Sequence, residues 1–197
     1  MPRFRLCLLS AVLPAVLPAL ALADPFEDFE PVDNALVVAA PAPASNVDDP
    51  VVQRGRYLVS LLGCASCHTD GALIGAPEEA RALAGSRVGI AISDPMRVRY
   101  PAVVYPPNLT PHPKAGIGAW SEEEIAELLR GGMDRHGGRA LPVMPWQSYA
   151  RLAEDDAMAI AHYLKNLAPN PHQAPGAVPE GEPASAPYVH VGLYQRR

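Results

Sequence analysis

The sequence is poor in the residues that build disulfide frameworks and structural metal sites. It has three cysteines in 197 residues, and Cys64 and Cys67 are the two that lie close together. A structural zinc site needs about four nitrogen or sulfur ligands. Apart from His68, the histidines of the sequence are not paired at short spacing: His112, His136, His162, His172 and His190. Neither a disulfide-rich fold nor a zinc site is therefore expected.

Long apolar runs are also scarce. The one candidate, Leu6–Leu22, follows two arginines and ends in the small-residue sequence Ala21-Leu22-Ala23. This pattern predicts a secretory signal over residues 1–23 that is removed on export. A retained membrane anchor is the alternative, because the run is near the length that spans hydrocarbon. No later segment is apolar and long enough, so no integral span is expected in the mature chain.

Basic residues are outnumbered by acidic ones. The whole chain carries a net charge of −5, from 16 Lys and Arg against 21 Asp and Glu. The predicted signal holds two of the basic residues and none of the acidic ones, so the mature chain would carry −7. Such a surface disfavours nucleic acid and anionic membranes and suits a partner with a basic docking face.

Proline content divides the mature chain into three segments. Residues 24–49 are rich in proline, alanine and acids and predict a flexible lead-in. Residues 171–197 are again rich in proline and predict an extended C-terminal tail, which wraps the surface rather than forming a domain. One domain is left, at about residues 50–170.

Three helices are predicted in that domain. The first begins after Asp49, with Pro50 at its first position. The second begins after Ser121, with Glu124 completing a capping box. The third covers about residues 154–167. No strand pattern is evident, so the fold class is all-α. The residues expected to face the core are Val51, Gly55, Leu58, Val59, Leu62, Ile125, Leu128, Leu129, Ala157, Ile160, Ala161, Leu164 and Leu167.

The stretch 69–120 has neither the hydrophobic period of a helix nor the alternating pattern of a strand over any sustained length. A connection of that length without structure is unusual in a compact domain. A bulky planar cofactor would resolve the difficulty, because the loop can bury its apolar residues against the ring.

The first helix runs into Cys64-Ala65-Ser66-Cys67-His68, a Cys-x-x-Cys-His motif that is read as a c-type haem attachment site. Two thiols at this spacing can each add to one haem vinyl group, and the next residue, His68, is then placed to bind the iron. One motif predicts one covalent haem c. The alternatives are a thioredoxin-type redox pair, which lacks a βαβ pattern here, a zinc site, and chance.

The second axial ligand decides what the haem does. Iron held by His and Met is six-coordinate, and the thioether raises the reduction potential. The candidates are Met96, Met133, Met144 and Met158. Met158 falls within the third helix, where core packing explains it. Met144 is favoured, because the prolines of Leu141-Pro142-Val143-Met144-Pro145-Trp146 stiffen a loop just before that helix.

With these residues in place, the chain resembles class I mono-haem cytochromes c, in particular the cytochrome c domains of bacterial periplasmic dehydrogenases. The resemblance covers about residues 51–169 and implies thioethers at Cys64 and Cys67 with His68 and Met144 as iron ligands. It also implies that the first and last helices cross with Tyr57 and Tyr163 near the contact. The matching segments are Gly63–His68, Tyr105–Pro111, Gly116–Ser121, Leu129–Gly132, Pro142–Pro145 and Tyr163-Leu164.

Two positions depart from the family pattern. His112 stands where an acid usually follows Asn-x-Thr-Pro, and Ala153 stands where a capping Ser or Thr is expected before the last helix. Losing that cap costs about 1 kcal/mol, partly offset by the acids that follow. Three aromatic residues could line the haem or hold a propionate, and core packing explains them equally well: Tyr105, Trp120 and Trp146.

These patterns favour a periplasmic electron carrier, or the cytochrome subunit of a dehydrogenase or oxidase complex, that works with redox partner proteins. It would not be an enzyme by itself, and no catalytic residue is expected. The alternative is a peroxidase-type haem enzyme with an open sixth iron position. Known bacterial di-haem peroxidases need two attachment motifs, and this chain has one. A haem gas sensor would need an output domain, which is not recognisable here.

Overall fold

A computed structural model of the chain describes residues 38–92, 103–132, 144–179 and 181–191. The described residues belong to one compact unit, Val32–Arg197. The predicted signal, most of the lead-in, the end of the tail, Met96 and Met133 lie outside the described residues.

Within these four ranges, five α-helices follow in chain order: α1 (Pro50–Leu61), α2 (Ala65–His68), α3 (Glu122–Gly131), α4 (Trp146–Tyr149) and α5 (Glu154–Lys165). Short 3-10 turns occupy Ala72–Ile74 and Glu79–Arg81. The predicted caps are confirmed. The Asp49 carboxylate accepts from the Val51 amide, and the Ser121 hydroxyl and the Glu124 carboxylate form a reciprocal capping box. Ala153 makes no side-chain cap at α5, where three acids fill the first turn.

Helices α1 and α5 cross at Gly55. A Cβ at that position would overlap the Ala159 carbonyl and lie 2.6 Å from the Tyr163 Cβ, so the absence of a side chain sets the approach of the two helices. Tyr163 is fully buried there, as the resemblance implied. Tyr57 is not. Its side chain is 55% exposed, with the Arg54 guanidinium 5.6 Å from the ring centroid.

The buried face of α1 is as predicted at Gly55, Leu58 and Val59, but the prediction is wrong at Val51. Val52 is completely buried and Val51 is 47% exposed. Asp49 and Pro50 fix where the helix starts. Val51 and Val52 are adjacent and equally apolar, so the sequence does not show which of the two valines faces α5. The main core joins α1, α3, α4 and α5 through Ala40, Val52, Leu58, Val59, Ala65, Leu83, Ile125, Leu129, Tyr149, Ile160, Ala161, Tyr163, Leu164 and Leu167.

A small sheet was not predicted. Strand β1 (Gly89–Ile92) pairs antiparallel with β2 (Val103–Val104) and parallel with β3 (Tyr188–Val191). The third strand belongs to a segment that we call the C-terminal arm, residues 169–191. Within the described residues, no helix has the length and apolar character needed to cross a membrane. The regular secondary structure of the described residues is mostly helical, and the sheet pairs β3, late in the chain, with β1 in the middle of the chain.

Candidate functional site

The attachment motif lies at the end of α1. Gly63 takes a φ of +68° and ends the helix, and the Cys64 amide still donates to the Val59 carbonyl at 3.2 Å. The motif then forms the single turn α2, which brings both cysteines and His68 into one helical turn. Cys64 and Cys67 are free thiols, and Cys64 packs against the main core. The two sulfurs are therefore available for other bonds.

Burial sets the chemistry of the two thiols. It raises the pKa of Cys64 to about 11 and also raises the pKa of Cys67. Thiol oxidoreductases work through a thiolate whose pKa is lowered. The thioredoxin-type alternative therefore finds no support in this environment.

The imidazole of His68 is oriented by one hydrogen bond. Its Nδ1 donates to the Pro107 carbonyl at 2.8 Å, which places the ring proton on Nδ1. Burial lowers the pKa of His68 and outweighs the opposing effect of that carbonyl, so the ring is neutral at pH 7. The lone pair on Nε2 is then free to bind a metal, and among the described residues Nε2 has no protein partner.

A buried carboxylate lies two residues beyond His68. Asp70 is 2% exposed and accepts from the Arg81 guanidinium at 2.6 Å, the Arg87 guanidinium at 2.7 Å and the Arg87 amide at 2.8 Å. Burial by itself would raise the pKa of Asp70, but these donors outweigh it and lower the pKa. His172, from the C-terminal arm, places Nε2 3.8 Å from the same carboxylate. This cluster fixes the segment that follows the motif.

Met144 lies two residues before the helix α4. Pro145 accepts the first hydrogen bonds of α4 through its carbonyl, and Tyr149 in that helix donates its hydroxyl to the Leu62 carbonyl at 3.4 Å. Met144 is half-buried and packs against the main core, as Cys64 does. Met158 is half-buried within α5. The structure thus brings Met144 and Cys64 to the same core.

The other residues singled out in the sequence have structural contacts. Tyr105 donates its hydroxyl to the Ala186 carbonyl at 2.8 Å and packs in the small cluster beside the sheet, and Trp120 packs against the main core. The His112 Nδ1 accepts from the Ala115 amide at 2.9 Å and so closes the turn where an acid was expected.

Sequence reasoning missed Pro107, whose carbonyl contacts His68, and its neighbour Asn108, whose side chain contacts Asn170 and His172. The family motif contains both residues, but nothing in its spacing shows that a carbonyl in this loop meets the imidazole 39 positions away. The zinc alternative gains no support, because the described part of the chain holds no group of three or more His, Cys, Asp or Glu placed for a metal ion.

The comparison with known protein families agrees with this arrangement. A family model described as cytochrome c matches residues 52–168. The chain belongs to the cytochrome c family. Covalently bound haem c is thus its cofactor, and electron transfer is the role that the family implies. The residues present fit that group, since two unbridged thiols precede a neutral imidazole with a free Nε2.

Several characterised relatives of this cytochrome are subunits of bacterial dehydrogenases. The fructose dehydrogenase cytochrome subunit of Gluconobacter japonicus is 36% identical over 124 residues, which are 63% of this chain and 22% of that protein. The cytochrome c subunit of the quinone alcohol dehydrogenase of Gluconobacter oxydans is 34% identical over 129 residues, 65% of this chain and 24% of that protein. The gluconate 2-dehydrogenase cytochrome c subunit of Pantoea cypripedii is 28% identical over 123 residues, covering 62% and 24%. This cytochrome therefore spans roughly a quarter of the length of these relatives.

Proposed function

We propose that this cytochrome is a periplasmic electron-transfer protein that receives electrons from a dehydrogenase, through one haem held between His68 and Met144. The observation that carries the proposal is the geometry of α2 and His68. Two free thiols and the imidazole share one turn, and the Pro107 carbonyl occupies Nδ1 at 2.8 Å while Nε2 stays free.

Each residue has one role in this proposal. Cys64 and Cys67 would hold the haem through thioethers, and His68 would bind its iron through Nε2. Met144 would supply its sulfur as the second protein ligand. When bound, the haem supplies an iron that takes up and releases one electron between its ferrous and ferric states. Both ligands would stay in place, so electron transfer would need little rearrangement of the protein.

The choice of a dehydrogenase as donor is supported by the relatives. Their names identify cytochrome subunits of fructose, alcohol and gluconate dehydrogenases. The acidic surface, with 21 Asp and Glu against 16 Lys and Arg, favours a donor or acceptor with a basic docking face. Export through the signal predicted over residues 1–23 would deliver the chain to the compartment where such enzymes oxidise their substrates.

The ligand assignment is tested by replacing Met144 with Ala in the haem-loaded protein. Loss of the thioether removes stabilisation of ferrous iron, so the reduction potential should fall by on the order of 100 mV. The iron–sulfur charge-transfer band of the oxidised protein should disappear, and cyanide should bind rapidly. Potentiometric titration and absorption spectroscopy measure all three.

Met158→Ala is the matched control, since it removes the same side chain from α5. It should keep the potential, the band and slow cyanide binding. If Met144→Ala behaves like wild type, Met144 is not a ligand. If the wild-type ferric protein is already high-spin and binds cyanide rapidly, the peroxidase-type alternative replaces the carrier.

A further inference from the structure

Asn108 joins the loop Tyr105–Pro111 to the C-terminal arm. It is 3% exposed, and its side-chain amide is fully used. Nδ2 donates to the carbonyls of Asn170 at 2.8 Å and His172 at 2.9 Å, and Oδ1 accepts from both the amide and the hydroxyl of Thr110. A buried amide with all its donors and acceptors satisfied is held in one orientation. The loop and the arm are thus fastened to each other at this residue.

The arm makes further hydrogen bonds around the same point. The Asn170 amide donates to the Thr110 hydroxyl at 3.0 Å, and its side chain donates to the Ala80 carbonyl at 2.9 Å. The His172 Nδ1 donates to the Ala84 carbonyl at 2.9 Å. Residues 170–172 therefore lie across the loop and across the segment that follows the attachment motif.

The opposite side of this loop holds His68. Pro107, the neighbour of Asn108, accepts from Nδ1, and the Gly85 amide donates to the His68 carbonyl at 2.8 Å. Gly85 lies directly against the loop. A Cβ there would come within 2.9 Å of the Asn108 nitrogen and 3.0 Å of the Pro107 carbonyl carbon. The loop is thus clamped between the segment that carries His68 and the C-terminal arm.

We propose that Asn108 is a positioning residue for His68. Together with the arm it holds the Pro107 carbonyl at hydrogen-bonding distance from Nδ1 and keeps water away from that bond. The inference rests on the proposed function, because it takes His68 as the iron ligand. A hydrogen bond to the outer nitrogen of a ligating histidine fixes the ring and makes its inner nitrogen a stronger donor. The arm then takes part in setting the reduction potential.

The test follows the Nδ1 proton of His68 in the reduced, haem-loaded protein by NMR. Asn108→Ala removes the clamp from the loop side. Asn170→Ala removes the side-chain hydrogen bond of Asn170 to the Ala80 carbonyl and so weakens the attachment of the arm. It is the milder change and serves as the test if Asn108→Ala does not fold. In both, deuterium should replace the Nδ1 proton at least about tenfold faster than in wild type, because the bond opens more often. The potential should rise, since Nε2 becomes a weaker donor to ferric iron.

Tyr105→Phe is the matched control. It removes the hydrogen bond to Ala186 at the far end of the arm and leaves the contacts of Asn108 in place. It should keep the wild-type exchange rate and potential. The Ile160 amide in the core of α5 reports global unfolding. Equal acceleration of Ile160 and His68 would mean that Asn108 only stabilises the fold, and would overturn the proposal.

The inference and the proposed function fail in different ways. An iron that is not bound by His68 in the wild-type protein overturns both. If His68 binds the iron and its Nδ1 proton exchanges at the wild-type rate in Asn108→Ala or Asn170→Ala, only the positioning role is overturned.

Discussion

At the scale of single residues, the Asp70 carboxylate is a buried charge that accepts three hydrogen bonds. It is 2% exposed and is satisfied by Arg81 and Arg87. Asp70→Asn keeps the shape but leaves two guanidiniums without their buried partner, so the free energy of unfolding should fall by about 2–3 kcal/mol. Glu78→Gln is the control, because that carboxylate is about half exposed and contacts the same arginines.

The control should cost less than about 1 kcal/mol, since exposed ion pairs are weak. Chemical denaturation of the haem-loaded variants measures both values. Equal losses in the two variants would show that burial of Asp70 contributes nothing beyond an ordinary surface pair.

At the scale of the helices, the crossing of α1 and α5 depends on Gly55. A methyl group there would overlap the Ala159 carbonyl, so Gly55→Ala must push the two helices apart and should cost about 3 kcal/mol or more. Gly131→Ala is the opposite case, because a Cβ at the end of α3 would meet none of the described residues within 4 Å. It should stabilise the protein by about 0.5–1 kcal/mol through helix propensity.

Thermal unfolding of the two glycine variants checks the pair. A Gly55→Ala protein as stable as wild type would show that the helices are not in close contact. The contrast between the two variants is the useful feature, because both add the same methyl group to a helical glycine.

The elements differ in how well the sequence predicts them. Helix starts are set by neighbours in the chain, such as Asp49 before Pro50 and Ser121 with Glu124, so local chemistry is enough. The sheet pairs Gly89 with Tyr188, 99 positions apart, in strands of at most four residues. Such short strands carry no clear period, and their pairing is decided by the path of the arm.

The site shows the same division between local and distant signals. The motif predicts the roles of Cys64, Cys67 and His68 directly, because covalent haem attachment requires that spacing. Asn108 and Pro107 act through contacts with residues that are far away in the chain, and no spacing rule predicts them. The assignment of Met144 as the sixth ligand stays a prediction.

At the scale of the whole molecule, His162 joins three helices. Its Nδ1 lies 2.8 Å from Glu122 at the start of α3, and its Nε2 lies 3.6 Å from Asp49, the cap of α1. The hydrogen bond to Glu122 and the nearby carboxylates raise the pKa of His162 above its ordinary value of 6.5. The protonated ring therefore stabilises the folded protein below the unfolded pKa, and this stabilisation is lost as pH rises through the folded pKa.

A double-mutant cycle of His162→Gln and Glu122→Gln measures this effect. The coupling free energy should be about 0.5–1 kcal/mol near pH 5 and should fall toward zero near pH 9. The neutral Gln side chains remove the charges and keep similar size. A coupling that stays constant across this range would show that His162 does not titrate against the acids.

The charge of the whole molecule predicts its kinetics with small redox reagents. The mature chain, with its expected net charge of −7, should exchange electrons faster with a cationic metal complex than with an anionic one of similar potential. The ratio should be on the order of 10 at low salt and should shrink as salt screens the surface. Stopped-flow measurement over a range of ionic strength checks it. A rate with the cationic reagent that rises with salt would contradict acidic steering.

The central claim is that one haem is joined to this chain at Cys64 and Cys67. It is tested most directly by mass spectrometry of the purified protein after denaturation in acidified organic solvent, followed by proteolysis. The haem should stay with the chain and should be recovered on the peptide containing Cys64–His68. Haem that separates from the denatured chain, or an unmodified Cys64–His68 peptide, would contradict it.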